Sequence, residues 1–148
     1  MASGLSARLR RLESCVLMLG EMRGRLEYLQ PTVQSLISAL AGQQRFENLG
    51  FLRESAGAML EGNTFSYCWR EALEKWSNAL GREEAAILAS LSDVLGRSDL
   101  ESQLSAIALA QEQLEQRIAG VRERALKQGN LYRSMGVLGG VAAAIILI

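Results

Sequence analysis

Two stretches, one near each end of the chain, place large apolar residues at alternating steps of four and three, a rhythm that suits an α-helix with one buried face. In the first, Leu5, Leu9, Leu12, Val16, Leu19 and Leu26 share a face, interrupted where Arg23 takes the next slot. In the second, Leu100, Leu104, Ile107, Leu114, Ile118, Val121 and Ala125 keep the rhythm, with Gln111 in the one polar slot. Each stripe needs a partner helix, so the two predict an antiparallel pair closed by the shorter helices between them. Outside the C-terminal tail no stretch shows the sustained period-two alternation of a strand. The predicted class is all-α, a bundle of about six helices whose last long helix continues into a C-terminal transmembrane helix.

Local signals divide the bundle. Pro31 disfavours helical geometry at Gln30, so the first helix should end near Leu29, with Pro31 suited to the first residue of a short second helix, roughly 32–41, that stops at Gly42. Phe46, Leu49, Leu52, Ala56 and Met59 predict a third helix over 46–60, ended by Gly62-Asn63. Thr64 is a cap for a fourth, in which Phe65, Trp69, Ala72 or Leu73, Trp76 and Leu80 line up and put both tryptophans on one face as core anchors. After Gly81, a fifth helix carries Ile87, Leu91 and Val94 and stops at Gly96. The sixth opens on Ser98-Asp99-Leu100-Glu101, a capping box with Ser98 at the cap and Glu101 three residues on. Asp99 and Gln103, one turn apart, either lock this turn or meet a partner, and an Asp in the first turn complements the helix dipole.

Composition narrows the function. Sixteen Lys and Arg balance sixteen Asp and Glu, with no single-sign block, so the chain lacks the basic footprint that phosphate backbones require and no nucleic-acid partner is expected. There is no His, the side chain best suited to proton transfer near neutrality and the commonest metal ligand. No Rossmann glycine fingerprint and no P-loop is present. Glu83-Glu84 and Glu112 with Glu115 read as a solvated face rather than a catalytic carboxylate pair. Cys15 and Cys68 match no metal-ligand spacing and read as small buried hydrophobes in a reducing compartment. No enzyme, cofactor or metal site is expected; an enzyme would need perturbed carboxylates converging in a pocket.

The sharpest change comes at the end, where Met135 to Ile148 reads MGVLGGVAAAIILI without a charged side chain. At 1.5 Å per residue this run reaches about 21 Å, and about 27 Å counted from Leu131, against roughly 30 Å for a hydrocarbon core. Arg122, Arg124, Lys127 and Arg133 just upstream outnumber Glu123, which places the rest of the chain on the cytoplasmic side. Hence residues 1–130 are assigned to a cytosolic bundle and 131–148 to a transmembrane anchor in contact with lipid, with Gly129-Asn130 as a kink between them. Gly136 and Gly140 form a G-x-x-x-G that permits close approach of another helix, a copy of the same chain included. The first residues lack the apolar core of a signal peptide.

Two ordered motifs carry a resemblance. Leu95-Gly96-Arg97-Ser98-Asp99, followed by Gln103, resembles the LG-x-SD-x-x-x-Q signature of the stage III sporulation protein AB family of endospore-forming bacteria. The run from Leu131, Tyr132 and Arg133 through Gly136 and Val137 to Gly140 resembles its juxtamembrane LYR-x-x-GV-x-x-G block. Weaker similarity covers Tyr28 with Pro31, and Leu60, Gly62, Trp69 and Ala72-Leu73.

The resemblance implies a cytosolic helical domain similar to the F-type platform domain of type II secretion systems. It implies service on the mother-cell side of the channel between mother cell and forespore, alongside other channel proteins and a secretion-type ATPase, stage III sporulation protein AA. Family members usually begin with an apolar membrane segment, and this sequence starts at about the point where that segment would end. The sequence thus predicts a non-enzymatic, membrane-anchored adaptor; the alternative is a tail-anchored helical adaptor outside sporulation.

Overall fold

The computed structural model describes the backbone of residues 2–133 and the side chains of residues 5–124. Among them there are seven α-helices and no strand: α1 (Ala2–Leu29), α2 (Val33–Ala41), α3 (Gly50–Leu60), α4 (Phe65–Lys75), α5 (Ser77–Leu80), α6 (Arg82–Ala89) and α7 (Leu100–Arg133). Single 3-10 turns at Gln44–Phe46 and Ser90–Asp93 link α2 to α3 and follow α6.

The two striped helices pair as their rhythm predicts. Glu13 meets Arg122 across the seam, while further along α1 the Val16 carbonyl accepts from Gln111 Nε2 at 3.3 Å, so the helices run antiparallel. Gln111 fills the polar slot of the stripe by donating to that carbonyl, and its amide sits 3.3 Å from where a Cβ on Gly20 would stand. Cys15, Met18, Leu19, Met22 and Leu26 from α1 and Ile107, Ala110, Leu114, Ile118 and Val121 from α7 are buried. The α2–α3 and α3–α4 pairs supply the opposite wall, and α6 packs on both α4 and α7. At about 1.5–3 kcal/mol for each large apolar side chain removed from water, this interior is the main force holding the helices together.

The predicted helix ends hold to within a residue at four places. α1 stops at Leu29, Thr32 caps α2 by accepting from the Ser35 amide at 3.1 Å, and Gly42 closes it. Pro31 therefore lies just outside α2 rather than opening it. Thr64 caps α4, accepting from the Tyr67 amide at 3.3 Å.

Four expectations need correction. Phe46 is buried in a 3-10 turn and α3 begins only at Gly50, where a Cβ would meet Trp76 Cζ2 at 2.2 Å, so the glycine makes room for the indole. The expected single helix through Leu80 breaks at Trp76, which ends α4 and precedes the one-turn α5. Trp69 is fully buried and donates its Nε1 to the Leu88 carbonyl at 2.7 Å, whereas Trp76 is half-buried at the edge and donates to Glu54 at 2.9 Å. Phe51 joins the two rings edge-on, at 5.5 Å from Trp69 and 6.2 Å from Trp76. Finally, α6 buries Ala85 and Leu88 while Ile87 is only partly buried against the core, and Leu91, buried as expected, and Val94 fall in and after a 3-10 turn rather than in one continuous α-helix.

The last helix runs unbroken through Gly129 and Asn130 to Arg133. No helix among the described residues is long and apolar enough to cross a membrane. Of the expected transmembrane anchor, 131–148, residues 131–133 end α7, and 134–148, with Gly136, Val137 and Gly140, lie outside the described residues.

Candidate functional site

The turn between α6 and α7 holds five of the signature residues together. Leu95 is buried in the core, which pins the turn to the bundle. Gly96 follows with φ +79, a conformation that costs an L-residue strain, and a Cβ there would also meet Val33 Cγ2 at 2.5 Å. Gln103, in the first turn of α7, clamps this loop with both ends of its amide. The Gly96 N–H donates to Gln103 Oε1 at 3.2 Å, and Gln103 Nε2 donates to the Ser98 carbonyl at 2.8 Å.

The cap is Asp99 rather than Ser98. The Ser102 amide donates to Asp99 Oδ2 at 3.2 Å, the Ser102 hydroxyl to Oδ1 at 2.6 Å, and the Gln103 amide to the Asp99 carbonyl at 3.0 Å. Ser98 still belongs to the preceding turn, its N–H bonded to the Val94 carbonyl at 3.1 Å, so the cap slides one residue on and Glu101 is not its partner. Hydrogen bonds from the Ser102 hydroxyl and amide hold the Asp99 carboxyl below its ordinary range, and the negative charge at the start of a long helix is favoured.

Around this turn the starts of α2 and α4 come together with it at one end of the bundle. They enclose an open cavity of about 480 Å³, walled by Val33, Phe65 and Leu95 and rimmed by Ser66 and Arg97. The other signature block lies far away. Leu131, Tyr132 and Arg133 form the last turn of α7, and the helical rise sets Leu131 about 42 Å along the helix from Gln103. The described residues of the two motifs therefore lie at opposite ends of one long helix.

A second polar cluster was not legible as one. Glu84, expected on a solvated face, is 1% exposed. Arg8 of α1 donates to its Oε1 at 3.1 Å and Arg117 of α7 to its Oε2 at 3.0 Å, so one carboxylate ties three helices. Burial by itself would raise the Glu84 pKa. The hydrogen bond from Arg117, the backbone amide and the charges of Arg8 and Arg117 outweigh it and hold the acid below its usual value. Arg8 and Arg11 also cap the end of α5, donating to the Leu80 and Ala79 carbonyls at 3.1 Å each. Gly81, at φ +105, lets the chain turn here, since a Cβ would stand 2.2 Å from Glu84 Oε1 and 2.4 Å from Arg8 Nη2. The one signal available was the Gly81 break with two acids, Glu83 and Glu84, just beyond Arg82.

A carboxylate between two guanidinium groups is a fixed charge rather than a proton carrier, so this cluster braces the fold. Among the described residues no group of acids and cysteines is placed to hold a metal ion. Cys15 and Cys68 are free and buried, and burial raises both thiols above their ordinary pKa, which keeps them unreactive.

No curated protein and no solved structure matches the chain. The family model for stage III sporulation protein AB matches residues 1–148, the whole chain. With its signature turn and the last turn of α7 both in place within that match, the chain belongs to the stage III sporulation protein AB family, and its role is in sporulation.

Proposed function

We propose that the protein is a non-enzymatic, membrane-anchored platform of the channel between mother cell and forespore, with its bundle on the cytoplasmic side. The observation that carries this reading is the whole-chain family match, joined to the separation of the two signature blocks at opposite ends of α7. One end of that helix leads into the apolar run 135–148, whose length and upstream arginines suit a membrane anchor. The other end presents the clamped turn of Gly96 and Gln103. A rigid strut of this kind holds a partner at a set distance from the bilayer, which is the task of a platform beside a secretion-type ATPase. Stage III sporulation protein AA is the partner this reading names.

Deletion of the protein in its spore-forming host, followed by complementation, tests the process, and affinity capture from mother-cell membranes tests the partner. Spore yield should collapse and be restored by the intact chain, and the ATPase should co-purify. Normal spore yield without the protein would overturn the sporulation role, and failure to capture the ATPase would remove that partner.

A further inference from the structure

One side of α1 is left uncovered among the described residues, while its other sides pack on α7, α2 and α5. Arg10, Leu17, Gly24 and Tyr28 fall on that side, at steps of seven, seven and four. Leu17 is 57% and Tyr28 82% exposed, and a Cβ on Gly24 would meet no described atom within 4 Å. Glycine is a poor choice inside a helix, and nothing among the described residues requires one at 24.

Each of the two exposed side chains borders a hollow. The first, of about 510 Å³, lies in the seam between α1 and α7 over Val16, Ile118 and Ala119, with Leu17 at its edge. The second, of about 380 Å³, lies over Gly20 and Gly24, with Tyr28 at its edge. Side chains on a helix lean toward its N-terminal turn, so Leu17 reaches the level of Glu13 and Tyr28 the level of Gly24, within the spans of the two hollows. One apolar side chain in water is ordinary. Two of them, each level with a hollow on the same uncovered side, make a face that complements itself.

Charge does not oppose this. Arg10, Arg25, Arg45 and Arg122 surround the face with Glu13, Glu21 and Glu115, and most of them are bonded within the chain, Arg122 to Glu13 and both Arg25 and Arg45 to Glu21. The signs nearly cancel, so a second copy meets no strong like charge, and nothing calls for an oppositely charged partner.

We propose that this side of α1 is the contact between two copies of the chain, set parallel about a two-fold axis. Copies held in one bilayer by the run 135–148 point the same way, and an axis along the membrane normal keeps every residue at its own level. Each Leu17 then enters the other copy's seam over Ala119, and each Tyr28 ring lies on the other's Gly24, where the missing side chain leaves room. The parallel setting rests on the anchored reading; the matched hollows do not.

The test is disulfide linkage of the purified full chain in phosphatidylcholine–phosphatidylglycerol liposomes, with Gly24→Cys as the probe and Gly57→Cys, on the opposite wall and equally open, as the control. A disulfide needs Cα atoms within about 7 Å, so linkage reports direct contact of the two α1 helices. Gly24→Cys should give a linked dimer on mild oxidation, while the Gly57 variant and the parent, whose Cys15 and Cys68 are buried, stay monomeric. Leu17→Ser and Tyr28→Ser, each added to Gly24→Cys, should cut the linked fraction severalfold, and the Tyr28 change should leave the thermal midpoint where it was. No linkage at Gly24, equal linkage at Gly57, or linkage indifferent to both serine variants would overturn a second copy as the occupant. Carbonate extraction of the same liposomes reads the anchor separately. Linkage in a chain that carbonate releases supports the face and removes only the anchor, whereas a retained chain that does not link overturns the face and leaves the anchored reading standing.

Discussion

Arg117 Nε of α7 donates to Glu84 Oε2 of α6 at 3.0 Å, while Arg8 of α1 holds the other oxygen of the same carboxylate. The long antiparallel pair is thus tied to the middle of the bundle through one buried charge. Glu84→Ala strands the two guanidinium groups, each about one-third exposed and partly able to reach water. The expected loss is therefore modest for a buried ion pair, about 1–3 kcal/mol, measurable by urea unfolding of the variant against the parent. A loss near zero would mean that the charge braces nothing.

The same carboxylate sets an acid response. Its folded pKa is held below the usual glutamate value, so its stabilisation is complete above about pH 4.3 and is lost as pH falls through the depressed folded value. Glu84→Gln should flatten the stability profile below about pH 4.3 relative to the parent. Thermal unfolding from pH 7 to pH 3 reads the difference, and parallel profiles would contradict the pairing.

Gly81→Ala should be more damaging than an ordinary glycine replacement. The residue sits at φ +105, and the added methyl would collide with both Glu84 and Arg8. The strain alone is on the order of 1–3 kcal/mol, with loss of the ion pair added to it. Gly57→Ala, in the interior of α3 where a Cβ meets nothing, should instead stabilise by about 0.5–1 kcal/mol. The two variants compared by denaturant midpoint make a control within one protein.

At the signature turn, Asp99→Ala removes the cap of α7 and should lower the thermal midpoint by roughly a few degrees. Gln103→Ala removes two hydrogen bonds from the Gly96–Ser98 loop and should cost about 1–2 kcal/mol. Hydrogen exchange should accelerate at Gly96 in the Gln103 variant while the centre of α7 stays protected. Unchanged exchange at Gly96 would mean that the clamp does not order the loop.

Local pattern revealed what depends on neighbours along the chain. The stripes of α1 and α7, the stop before Pro31 and the cap at Thr64 all follow from spacing and turn chemistry within a few residues, whereas Thr32, expected inside α2, turned out to cap it. Long-range geometry stayed hidden. Glu84 looks solvated beside Glu83 because its partner Arg8 lies 76 residues upstream and Arg117 lies 33 downstream. The break at Trp76 depends on Gly50 receiving the indole, and the cap moved from Ser98 to Asp99 because the Val94 turn claims Ser98. The residues of the signature turn were visible from the resemblance, while the cavity beside it comes from helices distant in sequence.

Carbonate-resistant membrane fractionation of the full chain against a version ending at Asn130 decides whether the bundle is an anchored platform. The full chain should stay in the membrane pellet, while the shortened one should move to the soluble fraction and still capture the ATPase. A full chain released by carbonate would contradict the anchor, and a soluble bundle that fails to capture the ATPase would contradict the platform.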